Sequence, residues 1–397
     1  MTAEGHPSAA PEVVDVVALG ESMVTFLPSR PGRLADVPSF ERAIGGAESN
    51  VACVLAAAGH TARWVSRVGA DGFGQHLVER IAGYGVDTGA VRADPARPTG
   101  IYFRTAADRA TDAHEVAYYR SGSAASAMAV DTVDLAAARA GRVLHLSGIT
   151  AALSAPCLEL MRELTAPRPG RPLVSFDVNH RPALWRDADG PRVLLELARR
   201  ADIVFVGDDE ARDAWGLHGG PAIVEALPEP GIVVVKQGGG GAIVFTRGTG
   251  PGPDGQGGDT AAVARETHSA PDGQGGGGGG GGATVFARDA RPAPYADGTA
   301  TFVRPPHVDV VSHIGAGDAF AAGFLSATLR GLPVRDRLRH GHLFAAAALT
   351  TPGDLAAPPA RGHADRLAAL DDAAWGRLRL GPGWTQAEQA PEEANTP

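Results

Sequence analysis

Short apolar runs recur along the chain: VVDVVALG (13–20), ARWVSRVG (62–69), RVLHLSG (142–148), PLVSFDVN (172–179), DIVFVG (202–207) and GIVVVKQG (231–238). They are rich in β-branched residues and read as buried strands. Helix-length segments separate them. Among these, SNVACVLAAAG (49–59) ends at Gly59 and FGQHLVERIAGYG (73–85) closes on glycines. Short strands alternating with helices predict an α/β fold, a doubly wound and mainly parallel sheet with helices on both faces. Two regions break the rhythm. Residues 22–44 and 98–121 alternate polar with apolar positions and predict a small half-exposed sheet, a β lid beside the main one. Residues 248–290 contain eight consecutive glycines (275–282). Such a segment buries too little apolar surface to offset its ordering entropy, and it predicts a flexible surface insertion.

Composition narrows the class. The chain has 397 residues, 44% of them hydrophobic, enough for a substantial core. Residues 1–13 and 383–397 are polar and are expected to be disordered, which leaves one domain over 14–382. The formal charge of −9 comes without a basic stripe and argues against a nucleic-acid partner. Cys53 and Cys157 suggest neither a disulfide framework nor a metal pair, so a reducing compartment is expected. The N-terminus lacks a signal peptide's basic start and apolar core, and no apolar run approaches the roughly 18 residues of a membrane span. A soluble, cytoplasmic protein with no membrane partner is the expectation.

The densest chemical signal is HIGAGDAFAAGFLSATLRG (313–331). Gly315-Ala316-Gly317 precedes a helix, and glycines at a helix start let backbone amides converge on an anion with help from the helix dipole. Asp318 then falls in the first turn beside that anion site. A carboxylate there can take a proton from a hydroxyl while the amides hold phosphoryl oxygens, which is what phosphoryl transfer needs. The same pattern also describes a capping Asp after a glycine turn. The polyglycine matches G-x-G-x-x-G trivially, with no helix and no acidic partner at the right distance, so a dinucleotide fold is not indicated. No Walker A motif occurs.

These residues and four further segments resemble the ribokinase-like (PfkB) carbohydrate kinases. GESMVTF (20–26) is similar to the family's first strand end, and AIGGAESNVACVLAAAG (43–59) to its N-terminal signature. RVGADGFG (67–74) resembles its Val-Gly-x-Asp-x-x-Gly segment, and VVVKQGGGGA (233–242) its Lys-x-Gly-x-x-Gly strand and turn. The resemblance runs from about Val14 to about Asp354, excluding the insertion. It implies an ATP- and Mg²⁺-dependent sugar kinase. In that reading Asp318 is the base, Gly315, Ala316 and Gly317 form the anion hole, and Gly45, Gly46 and Asn50 line the sugar site. Lys236, Gly238, Gly241 and Glu210 lie near the nucleotide, with Glu210 acting on the metal through water. The lid closes over the sugar, and a homodimer through it is implied.

PTGIYF (98–103), YYRSGSAAS (118–126) and DVNHRPALW (177–185) are further similar to 2-keto-3-deoxygluconate kinases. Guanidinium groups suit a sugar-acid carboxylate because they bind it bidentately and keep their charge. Arg120 and Arg181 are the expected pair, with Tyr102 and Tyr118 as donors to hydroxyls. Equally, Arg120 reads as a solvated lid residue, Arg181 as a surface ion pair and the tyrosines as packing residues. Two departures stand out. Ser312-His313 replaces the pair whose acidic residue commonly helps hold a monovalent cation, which puts that cation in doubt. Gly207 stands where the Asn of Asn-x-x-Glu is usual, while Glu210 is retained. Asp208 and Asp209 read as a helix start, His313 as a spacer, and His340 and His342 as structural. A kinase for fructose, another neutral sugar or a nucleoside remains an alternative, as does a sugar- or nucleotide-binding sensor without turnover.

Overall fold

Neighbouring residues in the buried strands face opposite layers. In β1 (Val14–Leu19), Val16 packs into one core cluster and Val17 into another. The chain continues with β2 (Met23–Pro28), β3 (Phe40–Gly45), β4 (Ala62–Val65), β5 (Arg67–Gly69), β6 (Arg92–Asp94), β7 (Ile101–Arg104) and β8 (Val116–Tyr119). It then runs through β9 (Gly141–Ser147), β10 (Leu173–Asp177), β11 (Ile203–Gly207), β12 (Ile232–Lys236), β13 (Ala242–Thr246) and β14 (Thr299–Val303). The same split recurs at Val143 and Leu144 in β9, and at Val204 and Phe205 in β11. A period of two with both faces apolar yields the unbroken apolar runs of the sequence.

The computed structural model describes residues 11–30, 32–105, 115–185, 189–247 and 298–386. The first ten residues, the glycine-rich insertion and the tail past 386 lie outside them. The main sheet has eight strands in the order β14-β13-β12-β11-β10-β9-β1-β4. β4, β1, β9, β10, β11 and β12 are parallel, and β13 and β14 add an antiparallel edge. Helices Ala155–Thr165 and Gly190–Arg199 cover one face; Ala47–Ala57, Ala316–Leu329 and Val334–Leu349 cover the other. This is the doubly wound sheet that the alternation predicts.

Beside it stands a four-stranded sheet, β3-β2-β7-β8, built from the two polar-alternating regions. ARWVSRVG is two strands rather than one. After Val65 the chain leaves the main sheet, and β5 pairs with β6, where Arg67 Nη2 meets Asp94 Oδ2 at 2.7 Å. Packing also continues past residue 382: Trp384 lies in the core with Leu380 and approaches His363. Among the described residues no helix is long and apolar enough to cross a membrane.

Candidate active site

The carboxyl ends of the parallel strands and the inner edge of the small sheet enclose a cleft of about 590 Å³. Crevices at strand ends are where doubly wound sheets bind ligands. Asp318 sits there in the first turn of the Ala316–Leu329 helix, capped by Gly315. Gly315 holds φ at +76°, and a Cβ there would overlap the Asp354 carbonyl, so the turn admits only glycine. Asn50 Nδ2 donates to Asp318 Oδ2 at 2.8 Å. Burial is the main influence raising the Asp318 carboxyl; the nearby charges of Asp177 and Glu48 add to it. The Asn50 bond and the Lys236 ammonium pull the other way, and the balance stands at about 7.

Lys236, the last residue of β12, donates to Asp177 Oδ2 at 2.8 Å across the sheet ends. Burial alone would lower that ammonium, but Asp177, Glu210 and Asp318 hold it above its usual value. Burial raises the Glu210 carboxyl. One Glu210 oxygen accepts from the Gly207 amide at 2.8 Å, closing the start of the Asp208–Trp215 helix, while the other faces Arg181 at 3.6 Å. Behind these groups Glu48 is fully buried and accepts from Ser147 and Thr150, each at 2.7 Å.

Four cationic side chains line the cleft among the described residues: Arg104, Arg120, Arg181 and Lys236. Three are closely paired. Arg104 meets Asp354 at 2.6 Å, Arg120 meets the buried Glu21, and Lys236 meets Asp177. Arg181 differs, being 53% exposed with Glu210 at the longer 3.6 Å.

A helix-capping glycine turn, a perturbed carboxylate and a lysine at the ends of parallel strands suit a phosphotransferase. The profile of the pfkB family carbohydrate kinases matches residues 14–262 and 279–361. This chain belongs to that family. It is a phosphotransferase with an alcohol acceptor, in a family that uses ATP. Over 354 residues it is 30% identical to the 2-dehydro-3-deoxygluconokinase of Bacillus subtilis, covering 88% of this chain and 93% of the relative. The enzyme of the same name from Thermoproteus tenax is 34% identical over 254 residues, 62% of this chain and 77% of the relative. Fructokinase-1 of Zea mays is 32% identical over 205 residues, 51% and 62% of the two chains. A PfkB protein crystal structure from Polaromonas sp. JS666 superposes with a TM-score of 0.66 at 30% identity, covering 89% of this kinase and 99% of that chain.

The kinase gathers most of the expected residues in its cleft: Gly45, Gly46, Asn50, Tyr102, Tyr118, Arg120, Arg181, Glu210, Lys236, Gly315, Gly317 and Asp318. Ala316 opens the helix between them. Gly238 and Gly241 form the turn joining β12 to β13, outside the cleft lining. Arg120 is held by Glu21, to which Ser123 also donates. The Tyr102 hydroxyl donates to Asp354. His313 stands exposed at the rim. His340 and His342 are buried; His340 Nε2 lies 3.2 Å from Asp365 Oδ1, and His342 Nε2 bonds the Val303 carbonyl. Among the described residues no group of three or more His, Cys, Asp or Glu is placed to hold a metal ion.

Residue reading missed Glu21, Glu48, Arg104, Asp177, Asn179 and Asp354. Glu21, Glu48, Asp177 and Asn179 stand inside segments already singled out by resemblance, and that placement was the signal available. Asn179 has φ of +41° just beyond β10, and its Oδ1 has no partner among the described residues. A non-glycine residue held there suggests a function for the turn.

Proposed function

We propose that this kinase transfers the γ-phosphoryl group of ATP to the terminal hydroxyl of a sugar acid, 2-keto-3-deoxygluconate being the substrate that fits best. The observation that carries this reading is Arg181. It is the cleft cation without a close carboxylate, and a substrate carboxylate would complete it. Asn50 Oδ1 and Asn179 Oδ1, both lacking partners among the described residues, are acceptors for sugar hydroxyls.

In this reading Asn50 holds one oxygen of Asp318 and leaves the other for the acceptor hydroxyl. The proton passes to Asp318 as the sugar oxygen bonds to phosphorus and the bond to the nucleotide's leaving oxygen breaks. Amides at Gly315 to Gly317 and the Lys236 ammonium meet the charge that spreads over the phosphoryl oxygens. Magnesium, when bound, neutralises phosphate charge. Glu210 would hold it through water, which suits an ion that keeps its hydration shell. The reading extends to a homodimer through the small sheet, supported by Tyr119, 64% exposed and edge-on to Phe103.

A neutral ketose such as fructose is the second reading, favoured by Arg104 and Arg120 already having carboxylate partners. An ATP-consumption assay across sugar acids, ketoses and nucleosides separates the two. A charge-assisted hydrogen bond contributes roughly 1.5–3 kcal/mol, so Arg181→Ala should cut kcat/KM for the acid about 10- to 150-fold. Activity on a ketose should hardly change. Equal losses on both substrates, or a wild-type preference for fructose, would refute the sugar-acid assignment and leave the sugar kinase intact.

A further inference from the structure

Asp354 lies in the loop after the Val334–Leu349 helix, 7% exposed, and no step above uses it. Its carboxylate is divided between two side chains of β7. Oδ2 accepts from the Tyr102 hydroxyl, and Oδ1 from Arg104 Nη2 at 2.6 Å. Tyr102 and Arg104 are two apart on a strand, so both project from one face of the small sheet. Burial, and then the Asp354 charge, raise the Tyr102 phenol, so it stays a donor.

The same residue also reaches the phosphate side. Its main-chain carbonyl abuts Gly315, where a Cβ would overlap it. On the sugar side, the space left by the missing Cβ of Gly45 is filled by the Tyr102 hydroxyl and Asp354 Oδ2. One residue therefore touches the small sheet's strand, the sugar-site turn and the cap beneath Asp318.

We propose that Asp354 is a positioning residue that fixes β7 against the anion-hole turn, keeping the sugar site and the phosphoryl site in one register. The activity arm of the test rests on the kinase reading above; the structural arm does not. Neutralising one partner of a buried ion pair strands the other charge, whereas removing both is milder. That asymmetry separates a specific tie from general packing.

The experiment compares wild type, Asp354→Asn, Arg104→Gln and the double variant by amide hydrogen exchange and steady-state kinetics on the full chain. Asp354→Asn should speed exchange about tenfold or more in both Ile101–Arg104 and Gly315 to Asp318, while β9 to β12 stay unchanged. Turnover on the best sugar should fall about 10- to 100-fold with ATP binding intact, and the double variant should lose less than the product of the single losses. Tyr102→Phe removes one bond but keeps the charge pair. It should loosen the same two segments less, and it carries the test if Asp354→Asn does not fold. Faster exchange in only one segment, loosening that includes the main sheet, or independent single effects would overturn the proposal. If the wild type phosphorylates no sugar acid while the variants still show the linked exchange, the proposed substrate reading is refuted and the positioning role is supported.

Discussion

Replacing Asp318 by Asn should weaken catalysis and strengthen the fold, with a pH dependence that identifies the cause. The carboxyl has an ordinary value of 3.8 and stands at about 7 in the cleft, a difference of roughly three units. At about 1.4 kcal/mol per unit this amounts to about 4 kcal/mol. The group is only partly buried, and discounting by half for solvent screening leaves about 2 kcal/mol. The folded state binds this proton more tightly than the unfolded chain. Stability therefore falls as pH rises from about 4 to 7, and the full penalty persists above that range. Asn carries no such penalty. Denaturant unfolding of both proteins should show little gain at pH 4 and about 2 kcal/mol at pH 8. Turnover should meanwhile drop roughly 10²- to 10⁴-fold, the range for losing a general base. Equal stabilisation at both pH values, or turnover within tenfold of wild type, would show that Asp318 is not a strained base.

Two other perturbations probe the scaffold. Gly315→Ala forces a side chain into a positive-φ turn against the Asp354 carbonyl; it should cut kcat at least tenfold and, because Asp354 also holds Tyr102 and Arg104, calorimetry should find sugar affinity weakened as well. Burial lowers His342 from 6.5 to about 4, so the unfolded chain takes up its proton first, and stability falls with pH across that window by up to about 3 kcal/mol. His342→Gln should flatten the acid limb of the unfolding curve, and an unchanged slope would remove His342 as its source.

The six parallel strands of the main sheet were legible because they are buried on both faces, which leaves continuous apolar runs that few other structures produce. By contrast, β13 and the largely exposed β14 were not read as strands. Asp318 was legible because its partners in the turn are its neighbours in sequence. The pairings that set the cleft's charge were not. Arg104 meets Asp354 across 250 positions, and Lys236 meets Asp177 across 59, so no local pattern announces either. Arg120 shows the consequence: its residue type suggested a ligand for an anion, yet the fold gives it Glu21. The break of ARWVSRVG at Ser66 was hidden for a related reason, since a strand that changes sheets keeps its apolar character.

The antiparallel edge closes with Thr246 opposite Thr299, their hydroxyl oxygens 2.8 Å apart. Whatever length of chain joins them, strand pairing already brings its ends together, and doubling a flexible loop adds only about 0.6 kcal/mol of closure entropy. Thr246 also stands opposite Ile232, at the end of β12 away from Lys236 and the cleft. The Thr246–Thr299 pairing therefore offers a seam where the polypeptide could be cut and recircularised, or could host a reporter domain, with the eight-stranded register preserved.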